Sequence, residues 1–137
     1  MLVSELIGRI LEKHDALLEQ RLHILDYLPK ESFNREHATI RLDIGRQTGK
    51  TTLICNNATK DDVIICRKIV NIYEIESARG LRGIFPSSRR VFVPKYMTPV
   101  SNEGYTVWID DGSLFGEEEL LSIYRMYSNA KRFIILG

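Results

Sequence analysis

Ala38-Thr39-Ile40-Arg41-Leu42-Asp43-Ile44-Gly45-Arg46-Gln47-Thr48-Gly49-Lys50-Thr51-Thr52 is the stretch on which the fold turns. In its first half Ile40, Leu42 and Ile44 alternate with Thr39, Arg41 and Asp43, the period of a strand with one apolar face. The alternation is unexpected for a central strand of a parallel sheet, which is apolar on both faces, so one face here is expected to be thinly covered or lined by polar pairs. In the second half Gly45 and Gly49 break the period, and Lys50 opens an expected short helix running to about Asn57. Strand, glycine-containing turn and helix start, in that order, form a phosphate loop. Its backbone N–H groups point at phosphate oxygens and the helix N-terminus adds partial positive charge. Gly49 would let the backbone approach closely, Lys50 would reach the β and γ phosphates, and the Thr51 hydroxyl would ligate Mg²⁺. The standard spacing puts a glycine at position 44, where this chain has Ile44 and shifts the glycine to Gly45. Gly-Lys-Thr alone also reads as a helix cap with a solvated lysine, so a second element is needed.

Tyr105-Thr106-Val107-Trp108-Ile109-Asp110-Asp111 supplies it. Mg²⁺ prefers oxygen ligands, and phosphate-loop enzymes hold it partly through an acid at the end of a neighbouring strand. Asp110 is the expected metal contact, through water, and Asp111 is placed to orient or deprotonate the attacking water. The plainer reading is that both carboxylates begin a solvated turn before Gly112.

Outward from these two segments, apolar residues between Leu2 and Leu28 recur at separations of three and four, an amphipathic helix ended by Pro29. That helix covers a sheet face or pairs with another chain. Lys30 to His37 is polar and reads as a connection. Val63 to Cys66 is a continuous apolar run and an expected buried strand, and Arg67 to about Ser77 is an expected helix. Further strands are expected at Val91 to Val93, Thr106 to Ile109 and Phe133 to Leu136, with a helix from Glu117 to Tyr127 whose leading glutamates suit the positive end of its dipole. Such alternation implies an α/β domain with a mostly parallel central sheet. The chain, 137 residues long, is expected to be a single phosphate-loop NTPase domain, with an N-terminal helix over 1–29 and a nucleotide-binding core over 38–137.

An apolar fraction of 44% and a charged fraction of 27% are those of an ordinary globular protein, and a net charge of +1 gives no global attraction to polyanions. Cys55 and Cys66 form no C-x-x-C pair, so a reduced, cytoplasmic setting is expected, the host's if the protein is viral. Glu5, Arg9, Glu12, Lys13 and Asp15 interrupt the N-terminal apolar residues too often for a signal peptide or membrane span, and no membrane partner is expected.

At Arg46-Gln47-Thr48-Gly49-Lys50-Thr51-Thr52 and at Val107 to Asp111 the chain resembles the ATPase domain of the large terminase subunit, the DNA-packaging motor of tailed phages. The likeness extends loosely to helicase-type ATPases. It implies a three-layer RecA-like fold, use of ATP with Mg²⁺, and assistance by Arg46 in γ-phosphate cleavage. That family has glutamate where this chain has Asp111. A carboxylate one methylene shorter sits farther from the water, which bears on hydrolysis more than on binding.

Arg79-Gly80-Leu81-Arg82-Gly83-Ile84-Phe85-Pro86-Ser87-Ser88-Arg89-Arg90 holds four arginines and no acid. Arg79, Arg82, Arg89 and Arg90 are candidates for gripping DNA or RNA phosphates, with Phe85 stacking on a base. Arg82, Arg89 or Arg90 acting in trans on a neighbour's nucleotide in a homo-oligomer is a second reading. A solvated loop paired with Glu74 and Glu76 is a third. The sequence therefore points to an ATPase working with nucleic acid or a larger viral DNA-processing or packaging machine. The alternative is a nucleotide-binding regulatory module without significant turnover. A small-molecule kinase fits less well, since no arginine-rich lid follows Asp111.

Overall fold

The computed structural model describes residues 3–42, 53–54, 57–59, 61–66, 90–92, 97, 99–101 and 103–137. Five strands form one parallel sheet: β1 (Thr39–Leu42), β2 (Val63–Ile65), β3 (Arg90–Phe92), β4 (Thr106–Ile109) and β5 (Arg132–Leu136), in the order β1-β5-β4-β2-β3. Helices whose bounds are described are α1 (Val3–Arg21), α2 (Lys30–His37) and α3 (Glu117–Met126), and Leu53, Ile54 and Asn57 are helical as well. The α/β class, the parallel sheet and the N-terminal helix expected from the sequence are all present.

Side-chain alternation splits the core in two. Ile64, Trp108, Ile134 and Leu136 face one side, where they meet Ile7 of α1 together with Leu53, Ile54 and Ala58. Val63, Ile65, Val107, Ile109, Phe133 and Ile135 face the other, where they meet Ile123 and Tyr124 of α3. Chain handedness requires this division. The connection from β1 to β2 and the one from β4 to β5 run across the sheet in opposite senses, and right-handed crossovers then place them on opposite faces. α3 starts where Glu119 reaches back to accept from the Gly116 N–H at 3.3 Å, with Glu117, Glu118 and Glu119 in its first turn.

Three expectations need correction. β1 lies at the edge of the sheet rather than in its centre, which accounts for its alternation. Ile40 and Leu42 pack on the α1 side, while on the other side the Thr39 hydroxyl donates to the Asn34 carbonyl at 2.8 Å and lies 2.7 Å from the Tyr124 hydroxyl. The polar segment Lys30–His37 is a helix rather than a connection. Only Phe33 and Asn34 of it are buried, so it carries no apolar stripe. α1 also stops earlier than its pattern suggests. A 3-10 turn over Leu22–Asp26 swings Ile24, Leu25 and Leu28 onto Phe33, closing a small cluster with Leu18 and Ala38.

His14 of α1 is the weak point of that docking. Both ring nitrogens are shut away from solvent and lack a hydrogen bond of good geometry, the His37 backbone being the polar group that faces the ring. Burial lowers its pKa, the backbone of His37 opposes this, Arg132 of β5 and Arg21 lower it further, and Asp15 raises it. The folded state thus binds a proton less readily than the unfolded chain, whose histidine titrates near 6.5. Stability contributed by neutral His14 is complete above that pH and is lost as pH falls below it toward the folded value. Thermal melts between pH 7.5 and 5 are expected to fall less steeply in His14→Leu than in the parent; parallel curves would show that His14 does not carry this dependence.

Candidate functional site

Parallel strands send all their carboxyl ends to one edge of the sheet, and ligands of such sheets bind at that edge where neighbouring connections leave for opposite faces. Here the place is set by β1, β5 and β4. Leu53, Ile54 and Ala58, which come after β1 in sequence, pack on the α1 face, the residues following β4 build α3 on the other, and β5 lies between. Register fixes the level. Leu42 pairs with Leu136, and Ile109 with Ile135, so Asp110 stands one residue beyond Ile109 at the height where β1 ends. Two strand spacings, about 10 Å, separate the two strand ends.

Asp110 is buried, and its N–H donates to the Ile65 carbonyl at 2.9 Å, which holds the end of β4 against β2. Asp111 turns the chain out of the strand in the left-handed region, with φ 52 and ψ 50, the one non-glycine residue with positive φ among those described. Aspartate tolerates that conformation better than most residues but still at a cost. A 3-10 turn, Gly112–Leu114, follows. Gly112 is where the turn crosses β5: a Cβ there would lie 2.1 Å from Cγ2 of Ile135. Gly112→Ala is therefore expected to cost about 1–3 kcal/mol by overpacking. Adding Ile135→Leu, which has no methyl branch at Cβ, should recover part of it. A thermal melt of Gly112→Ala within a degree of the parent would contradict the close approach.

The rest of the expected site is not described. Gly45, Arg46, Gln47, Thr48, Gly49, Lys50, Thr51 and Thr52 lie outside the described residues, as do Arg79, Arg82 and Arg89. Arg90 opens β3, with its backbone position described. In sequence β1 precedes the loop and the helical residues Leu53, Ile54 and Asn57 follow it, while Asp110 and Asp111 stand at the end of β4. Oxygen donors of Asp110 and Asp111 suit a hard cation such as Mg²⁺. Among the described residues there is no cluster of His, Cys, Asp or Glu that would hold a metal by itself, and no helix long and apolar enough to cross a membrane.

Another acid of the same run of strands has a different role, which sequence reading missed. Asp62 lies at the opposite, amino edge of the sheet and is buried. Its carboxylate accepts from the Thr59 N–H at 2.8 Å, the Thr106 N–H at 3.0 Å and the Trp108 indole Nε1–H at 3.0 Å. It ties β2 to β4 far from the carboxyl edge and belongs to the fold, not to the site.

No family model matches the sequence, and no curated protein matches it. Among solved structures the chain is similar to the helicase nsp10 of PRRSV, with a TM-score of 0.54 and 15% identity over 79% of this chain and 27% of that one. It is similar as well to an arterivirus nonstructural protein 10 helicase solved in complex with DNA, with a TM-score of 0.56 and 12% identity over 79% of this chain and 30% of that one. At these identities the likeness establishes a shared fold alone, and this chain spans under a third of the length of either helicase.

Proposed function

We propose that this chain is a nucleotide-binding phosphate-loop module of helicase type that binds ATP with Mg²⁺, hydrolyses it, and acts with nucleic acid. One observation carries the reading. The end of β1, from which Gly45 to Thr52 follow, and the end of β4, which delivers Asp110 and Asp111, share the carboxyl edge of the sheet with a single strand between them. In this reading the backbone of the loop and Lys50 hold the phosphates, and Thr51 with Asp110 hold the cation. Asp111 accepts a proton from, or orients, the attacking water, and Arg46 faces the charge that develops on the γ-phosphate. A cation held there would supply charge neutralisation for the phosphates.

The nucleic-acid half rests on Arg79, Arg82, Arg89 and Arg90 and on the fold shared with a helicase solved on DNA. Service in a packaging machine, as the terminase likeness suggests, is the narrower version. Asp111, in place of the glutamate of that family, favours the second reading of a nucleotide-dependent binding module. Steady-state phosphate release with and without DNA separates the two.

Titration with ATP and Mg²⁺ is expected to saturate, and Lys50→Ala to weaken it by about tenfold to a hundredfold, the worth of a charge-assisted contact to phosphate. Unchanged affinity in that variant would remove the loop from the site.

A further inference from the structure

β1 ends the sheet, and among the described residues no strand pairs with its outer side. In the ladder with β5 the Phe133 N–H donates to the Ala38 carbonyl at 2.8 Å and the Gly137 N–H to the Leu42 carbonyl at 3.0 Å. On a parallel strand the N–H and C=O of one residue point to the same side and the side alternates along the chain. That phasing turns Ile40 and Leu42 toward β5 and turns the backbone groups of Thr39 and Arg41 outward. No backbone hydrogen bond takes up these outward groups among the described residues. Ile40 and Leu42 are only half-buried and Arg41 is exposed, whereas β2 and β4 are buried throughout.

Charge distinguishes one face of this edge. Arg41 shares with Thr39 the face of β1 opposite Ile40 and Leu42, the face on which the Thr39 hydroxyl meets Tyr124; burial raises the pKa of Tyr124, and the Thr39 hydrogen bond, then the charges of Arg41 and Arg35, oppose it. Neither arginine has an ion-pair partner among the described residues. Of the acids of α2, Glu31 lies 3.3 Å from Arg125 and Glu36 lies 3.9 Å from His37. The edge thus offers two backbone rungs, a half-covered apolar row on the α1 face and two uncompensated cations on the α3 face.

We propose that the outer edge of β1 is a strand-addition site for an extended acidic segment of a partner protein. Its backbone pairs with Thr39 and Arg41, its carboxylates meet Arg41 and Arg35 on one face, and its alternate apolar residues extend the Ile40–Leu42 row on the other. A nucleic-acid strand suits this edge less well: phosphodiesters only accept hydrogen bonds, and the outward carbonyls of Thr39 and Arg41 need donors. A second copy of the chain is disfavoured too, because pairing through the same edge brings two arginine clusters together. The inference is independent of nucleotide binding.

The probe is the capped peptide acetyl-Val-Glu-Val-Glu-Val-Glu-Val-amide, with amide hydrogen exchange read by NMR on the whole chain. Without peptide the Arg41 amide should exchange far faster than those of Ile40 and Leu42, and saturating peptide should slow it by about tenfold or more. Arg41→Ala should weaken peptide binding by about threefold to tenfold. Arg41→Pro also removes the outward N–H while sparing every bond to β5, and should weaken it by about a further fivefold, one hydrogen bond's worth. Absence of binding, or binding that leaves the Arg41 amide fast, overturns the proposal. So does equal loss in the two variants combined with displacement of the peptide by single-stranded oligonucleotide, which would make the arginines a phosphate site. Protection of Arg41 that rises with protein concentration alone would assign the edge to a second copy and overturn it as well.

Discussion

Asp62→Ala is expected to remove about 3–6 kcal/mol of stability, a large share of the roughly 5–15 kcal/mol that holds a domain together. The size follows from what the carboxylate leaves behind. The Thr59 N–H, the Thr106 N–H and the Trp108 indole N–H would each lose a charged acceptor in a buried place, and a donor so stranded costs about 1–3 kcal/mol. Asp62→Asn keeps one acceptor oxygen but turns an NH₂ toward the remaining donors, so about half the loss should remain. Trp108 is the only tryptophan of the chain, which makes its fluorescence a direct reporter of this contact. Urea titrations followed by that signal should show the midpoint falling in the order parent, Asn, Ala. A midpoint for Asp62→Ala close to the parent's would mean that water or a backbone shift replaces the carboxylate.

The same residue shows where sequence reading stops. Asp61-Asp62 before an apolar run looks like a turn, and nothing local distinguishes an acid that solvates itself from one that ties two strands. Two of the three partners of Asp62 lie 44 and 46 residues away, and only the β2–β4 pairing brings them near. β2, β4 and β5 were legible because strands buried on both faces are apolar without interruption, and α1 and α3 because one apolar face recurs every three to four residues. α2 was not, since a helix held by Phe33 and Asn34 alone shows no periodicity. β1 was legible as a strand but not as an edge. Its alternation recorded one covered face and one polar contact with Tyr124, and without strand order that pattern reads as an anomaly. At the site, the sequence indicated the end of β4 as the place for acids. It did not indicate that Asp111 leaves the strand left-handed or that Gly112 must lack a side chain to pass Ile135.

Asp111 brings stability and function into opposition at one residue, so its variants should rank differently by the two measures. Its backbone, at φ 52, lies where a β-carbon costs about 1–2 kcal/mol and where glycine is free of that cost. Asp111→Gly should therefore melt at or slightly above the parent despite glycine's greater unfolded-state freedom. Asp111→Asn should melt close to the parent, because asparagine tolerates the left-handed region as aspartate does. Asp111→Ala should melt lower. Turnover should follow no such order. If Asp111 handles the proton of the attacking water, all three variants lose phosphate release by about a hundredfold to ten-thousandfold, the usual worth of a positioned acid or base. ATP affinity should stay within a few-fold, because Asp110 and the loop are untouched. A carboxylate kept in a costly conformation that asparagine matches in stability but not in rate would be retained for chemistry. Steady-state hydrolysis by Asp111→Asn at the parental rate would instead reduce Asp111 to a turn residue and assign the proton of the attacking water to another group.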